Sequence, residues 1–194
     1  MGKDSRIDVI GGTLIIMAML CLSAFTVFIG QDERLSVLAT ISMALLAIGI
    51  AGGEIIHDYR FENKINPETF LYGFFGISLV ALIQIPVMIS GISIYGLSAL
   101  DFKASRLFLI AQAVSEEAFF ANVVYAFLKR TSIPQVANVA TASIFMIFHS
   151  VVYANQTLVL FVVFLSRLAL NFIYDRGGLG SSMMTHVIVN AFAG

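Results

Sequence analysis

The sequence predicts an all-α fold, a polytopic transmembrane helical bundle of about seven spans with a range of six to eight. Three observations predict it. Of the 194 residues, 59% are hydrophobic and only 12% charged, whereas soluble domains run near half apolar and a quarter charged. The apolar residues gather into runs that approach or exceed the roughly 20 residues a helix needs to cross a hydrocarbon core. No polar stretch between them exceeds about a dozen residues, which leaves one integral membrane domain over 1–194.

The runs fall near 9–30, 35–56, 69–96, 105–128, 135–154, 157–174 and 178–193. The first is too long for a signal peptide, and Asp4 and Asp8 dilute its basic leader, so it reads as a retained span. The second ends at Glu54 and His57, close enough to the interface to reach it. The third holds Pro86, Gly91 and Gly96, which predict a kink, a tilt or an interfacial tail. The fourth and fifth flank the break from Lys129 to Pro134. The sixth and seventh are parted by Asp175 to Gly178, and the last is short, as a partial span lining a cavity would be. If all seven cross, Lys and Arg distribute seven to three in favour of the amino-terminal side, which predicts a cytoplasmic amino terminus.

Other classes are set aside by composition. A net charge of −1 gives no electrostatic case for nucleic acid. The single Cys21 excludes an intrachain disulfide and any CxxC site, and it lies in an apolar run as a small hydrophobe.

Ionisable groups inside a bilayer cost about 2.5–3.5 kcal/mol each on insertion scales and persist where they face a cavity, a partner or a substrate. Glu116, Glu117, His149, Arg167 and His186 sit well inside runs. Neighbouring helical residues point about 100° apart, so the two carboxylates are expected to have different partners. Phe145-x-x-x-His149 and His186-x-x-x-Asn190 each place two side chains on one helix face. Singly, a membrane His or Asn reads as interhelical glue and a Glu pair as a proton relay. Phe145 alone reads as core packing. Two acids, two His and an Asn on three late helices are harder to assign to packing.

The ordered set Glu116-Glu117, Phe145-x-x-x-His149 and His186-x-x-x-Asn190 resembles the CPBP family, the CAAX prenyl endopeptidase and bacteriocin-processing (Abi) intramembrane proteases. The family pattern is E-E-x-x-x-R, F-x-x-x-H and H-x-x-x-N/D on successive helices, and Gly177 to Asn190 is similar to its last motif. The resemblance covers about 105–194, the motif-bearing helices. This chain departs at one place: the family Arg falls on Ala121, followed by Asn122 in place of Gly. Arg167 is the candidate replacement, expected to pair with Glu117 across helices.

The resemblance implies an endopeptidase that cleaves a peptide bond at or within the membrane with a glutamate-activated water, with CAAX-type processing of a prenylated carboxyl terminus as one substrate class. It assigns Glu116 as base, His149 to hold the water, and His186 with Asn190 to stabilise the oxyanion, with Glu117, Phe145 and Arg167 in support. No cofactor is favoured. Zinc is the alternative, on Glu116, His149 and His186, although no His-Glu-x-x-His helix is present. The implied partners are a peptide or lipidated protein and the bilayer, in a prokaryotic plasma membrane, with oligomeric state unspecified. Two other classes stay open: a non-catalytic membrane scaffold of the same family, and an ion- or proton-coupled transporter using the buried acids.

Overall fold

A computed structural model describes residues 66–90, 106–150, 153 and 156–193. The runs at 9–30 and 35–56, Cys21, Glu54, His57, Gly91 and Gly96 lie outside them, as do Lys3, Arg6, Arg34, Arg60, Lys64 and Lys103 of the orientation count. Among the described residues all regular structure is helical: α1 (Pro67–Ile89), α2 (Arg106–Phe119), a π-helical turn (Phe120–Tyr125), α3 (Ala126–Thr131), α4 (Pro134–Ser150) and α5 (Thr157–Ala193).

Helix α1 starts where its sequence says it should. Asn66 is the N-cap, accepting from the Thr69 amide at 2.9 Å, while the Thr69 hydroxyl reaches back to the Asn66 amide at 3.3 Å. Pro67 occupies the first helical position, where its missing N–H costs nothing. Pro86 sits inside the last turn, and the helix ends soon after at Ile89, with Ser90 as its cap. Phe70, Leu71, Phe74, Leu82 and Met88 are more than half exposed on α1, as on a helix facing lipid.

Helix α2, the π turn and α3 form one rod through the run predicted at 105–128. The Ala126 amide donates to the Ala121 carbonyl, a five-residue step that accommodates one extra residue. Phe119, Phe120, Val123 and Val124 from this segment pack with Phe145 of α4 in one core cluster.

α5 covers both of the last two predicted runs, but it does not run straight. Gly178 has φ 77° and ψ −176°, a non-helical residue between two helical limbs. The limbs fold back on each other. A Cβ on Gly76 of α1 would touch both Ile173 and Thr185, and the Ser182 hydroxyl lies 3.4 Å from the Leu170 carbonyl. In a straight helix residues twelve apart would be about 18 Å apart. Val80, Ala169, Leu170 and Val189 close a core between α1 and both limbs. Serine and threonine hydroxyls dock the second limb on α1: Ser181 donates to the Thr69 carbonyl at 2.7 Å and Thr185 to the Gly73 carbonyl at 3.1 Å. Among the described residues, two helical stretches are long and apolar enough to cross a membrane, Pro67–Ile89 and Thr157–Ala191, the latter holding both limbs.

The dihedrals of Gly178 lie in a region open essentially to glycine alone. Gly178→Ala is expected to cost about 1–3 kcal/mol, read as a lower midpoint of heat-induced aggregation in detergent. An unchanged midpoint would show that the turn tolerates a Cβ.

Candidate functional site

The fold-back brings four helical segments to one buried cluster. α2 carries Glu116 and Glu117, α4 carries Phe145 and His149, the first limb of α5 carries Arg167, and the second limb carries Ser182 and His186. Glu116, Glu117 and Arg167 are 0–1% exposed, and His149 and His186 just under a tenth. The two carboxylates and the guanidinium are therefore closed to solvent, and the two imidazoles nearly so.

Glu117 is saturated. Arg167 donates to it through both terminal nitrogens, Nη1 to Oε1 at 2.7 Å and Nη2 to Oε2 at 3.2 Å. The Ser182 hydroxyl donates to Oε2, and His186 Nδ1 lies 2.9 Å from Oε1. A carboxylate has about four acceptor sites, and here four donors face it. The cross-helix pair expected between Arg167 and Glu117 is present, in the fork geometry that suits a guanidinium. Ala121, at the position of the family's arginine, is fully buried in the π turn.

The arginine is itself held on its other sides. Its Nε donates to Asn171 Oδ1 at 2.8 Å, and Asn171 Nδ2 donates to Asn138 Oδ1 of α4 at 2.8 Å. The guanidinium lies over the Phe145 ring at 5.4 Å. Phe145 also meets the His149 ring at 4.2 Å between centroids and the His186 ring edge-on at 6.4 Å. Phe145 is thus a shared wall for the cation and both imidazoles.

Glu116 has a different setting. It accepts one hydrogen bond among the described residues, from Gln112 Nε2 to Oε1 at 2.7 Å. His149 Nε2 stands 3.8 Å from Oε1 and His186 Nε2 3.6 Å from Oε2, beyond direct hydrogen-bond reach. Acceptor capacity therefore remains on Glu116 where it does not on Glu117. The expectation of separate partners holds with one amendment: His186 faces both carboxylates, Glu117 through Nδ1 and Glu116 through Nε2.

The imidazole tautomers follow from these contacts. His149 Nδ1 lies 2.9 Å from the Phe145 carbonyl, which only accepts, so Nδ1 carries a proton. In neutral His149 the Nε2 lone pair then faces Glu116. His186 Nδ1 must likewise donate to Glu117. Tyr153 stacks on the far side of His149, with rings 6.0 Å apart and 13° from parallel. Asn190 is one turn past His186 on the same limb and half-buried. Among the described residues, no group of three His, Cys, Asp or Glu is arranged to hold a metal ion.

Sequence reasoning did not single out Gln112, Ser182, Asn171, Asn138 or Tyr153. Four of them carried a signal: Gln112 precedes Glu116, Ser182 precedes His186, and Asn171 and Tyr153 follow Arg167 and His149, each by four residues. A polar or aromatic residue one turn from a buried ionisable group shares its face. Asn138 has no such marker.

Comparison with known proteins adds one positive finding: residues 100–192 match the family model described as type II CAAX prenyl endopeptidase Rce1-like. No curated protein and no solved structure matches.

Proposed function

We infer that this chain, whose residues 100–192 form a type II CAAX prenyl endopeptidase Rce1-like domain, is an endopeptidase that hydrolyses a peptide bond at or within the membrane with a water activated by Glu116. The observation that carries this reading is the contrast between the two carboxylates. Among the described residues Glu117 has four donors and no spare acceptor site, while Glu116 has one hydrogen bond and two imidazole nitrogens facing it.

The chemistry follows from the donors and acceptors. A water lying off the axis of the 3.8 Å contact gives one O–H to Glu116 and the other to the His149 Nε2 lone pair. Its own lone pair then points away from both, toward a scissile carbonyl. Attack forms the carbon–oxygen bond as Glu116 takes the proton. The charge that develops on the carbonyl oxygen is met by His186 Nε2–H and the Asn190 amide. His186 acts here as the imidazolium, donating through Nδ1 to Glu117. Two carboxylates are then balanced by one guanidinium and one imidazolium. Collapse breaks the carbon–nitrogen bond, and Glu116 returns its proton to the leaving amine.

CAAX-type prenylated carboxyl termini are the proposed substrate class, and a prokaryotic plasma membrane with a cytoplasmic amino terminus the proposed setting. The test uses purified protein in detergent with three peptides: a prenylated CAAX peptide, its unprenylated twin and one lacking the motif. Glu116→Ala and a zinc chelator serve as controls. Cleavage of the prenylated peptide, lost in the variant and resistant to the chelator, is the expected result. Cleavage unchanged in Glu116→Ala overturns the reading. Chelator sensitivity reversed by zinc replaces the metal-free step, and ion flux in liposomes without cleavage favours the relay.

Asn190→Ala removes one oxyanion donor and is expected to lower kcat by about 10²–10³. A fall in kcat below threefold would remove Asn190 from the site.

A further inference from the structure

The base on α2 has a fixed neighbour that neither the motif pattern nor the proposed chemistry uses. Gln112 lies one turn before Glu116, is half-buried, and donates Nε2–H to Glu116 Oε1 at 2.7 Å. That is the short end of the N–H···O range, and it is the only hydrogen bond Glu116 makes to a described residue.

We propose that Gln112 is the positioning residue of the catalytic base, locking the Glu116 carboxylate so that Oε1 faces His149 and Oε2 faces His186. This rests on Glu116 acting as base. The terminal torsion of a glutamate is broad and roughly two-fold, so an unbonded carboxylate would swing across the 3.6 and 3.8 Å gaps to the imidazoles. A neutral amide suits the task better than a cation. Arg or Lys here would pair with Glu116 as Arg167 pairs with Glu117 and occupy the base. The Gln N–H takes one lone pair of Oε1 and leaves the second lone pair of that oxygen for the water beside His149, with no change in the charge balance of the site. Because donor and acceptor are on one helix four residues apart, the contact keeps its geometry when neighbouring helices shift.

The neighbours support a specific role. His186 is held by Glu117, and His149 by the Phe145 carbonyl and the rings of Phe145 and Tyr153. Glu116 is the remaining member of that trio, and Gln112 is what holds it.

The test compares Gln112→Leu, which removes the donor at similar volume, with Gln112→Asn, which keeps the amide but falls one methylene short. Both are expected to lower kcat by about 10–100-fold, since a misplacement near 1 Å can cost about 10²-fold. KM is expected to stay within twofold and the thermal midpoint in detergent to stay unchanged. A substrate-free measurement runs beside it: labelling of Glu116 by a hydrophobic carbodiimide, read by mass spectrometry. Without the Gln112 amide on Oε1 the carboxyl turns freely and opens to that reagent, so Gln112→Leu is expected to be labelled at least threefold faster than the parent protein. Wild-type kcat in Gln112→Leu, a rise in KM alone, or labelling at the parental rate would each overturn the proposal. Failure of the wider reading looks different. It shows as no hydrolysis by the parent protein, or hydrolysis that survives Glu116→Ala, whatever the carbodiimide reports about Gln112.

Discussion

Arg167→Met is expected to destabilise the protein by about 3–5 kcal/mol, the cost of leaving a buried charge without its partner. The substitution keeps bulk and removes four contacts at once: two hydrogen bonds to Glu117, one to Asn171, and the cation over the Phe145 ring. Glu117 is 0% exposed, so no water replaces the lost donors. The readout is the midpoint of thermal aggregation in detergent, which should fall by many degrees. The control is the double variant with Glu117→Gln. Removing both charges should recover much of the loss, because a pair replaced together is far less costly than a pair broken. Arg167→Lys should fall between, keeping the charge while losing the fork. If Arg167→Met melts with the parent protein, the pair is not what holds α2 to the first limb.

The second large effect is on rate and leaves stability alone. Glu116→Gln is expected to lower kcat/KM by about 10²–10⁴, the usual contribution of a general base. The amide is nearly isosteric and still offers an oxygen to Gln112, so the thermal midpoint should move little. Glu117→Gln should show the reverse emphasis, with a loss of stability from an unpaired Arg167. That crossed pattern between adjacent residues assigns chemistry to one and architecture to the other. Equal effects of both on rate and melting would erase the distinction.

The carboxylate pair, both imidazoles and the arginine were legible in the sequence because an ionisable group in an apolar run is costly enough to demand a reason. The break between the limbs was legible because Asp175, Arg176, Gly177 and Gly178 interrupt two apolar runs. Two spans parted at that break already imply a reversal there; what was not legible is that one residue, Gly178 at φ 77°, makes the turn. The π turn was hidden too: Phe120 to Tyr125 is as apolar as its surroundings, and one extra residue in a helix leaves no compositional trace. Gln112, Ser182 and Asn171 went unnoticed because neutral polar residues are cheap in membrane helices and draw attention only once the charged group beside them is placed. The sharing of His186 escaped the helical-angle argument, which counts directions from the backbone and overlooks that an imidazole offers nitrogens on two sides.

That Glu117 takes its guanidinium from 50 residues further along the chain has a consequence for how the protein is made. An arginine four residues after Glu117 would leave the ribosome almost together with it and enter the bilayer as its companion. Here the partners of Glu117 lie 50, 65 and 69 residues further along, at Arg167, Ser182 and His186. At about 5–20 residues per second, the acid waits several seconds for its cation. During that interval α2 must be carried with its carboxylates neutral, or kept at the insertion machinery until the final hairpin arrives. The buried ion pair thus forms only after α4 and much of the first limb have been made, and a chain cut short before residue 167 would lack the guanidinium that pairs with Glu117.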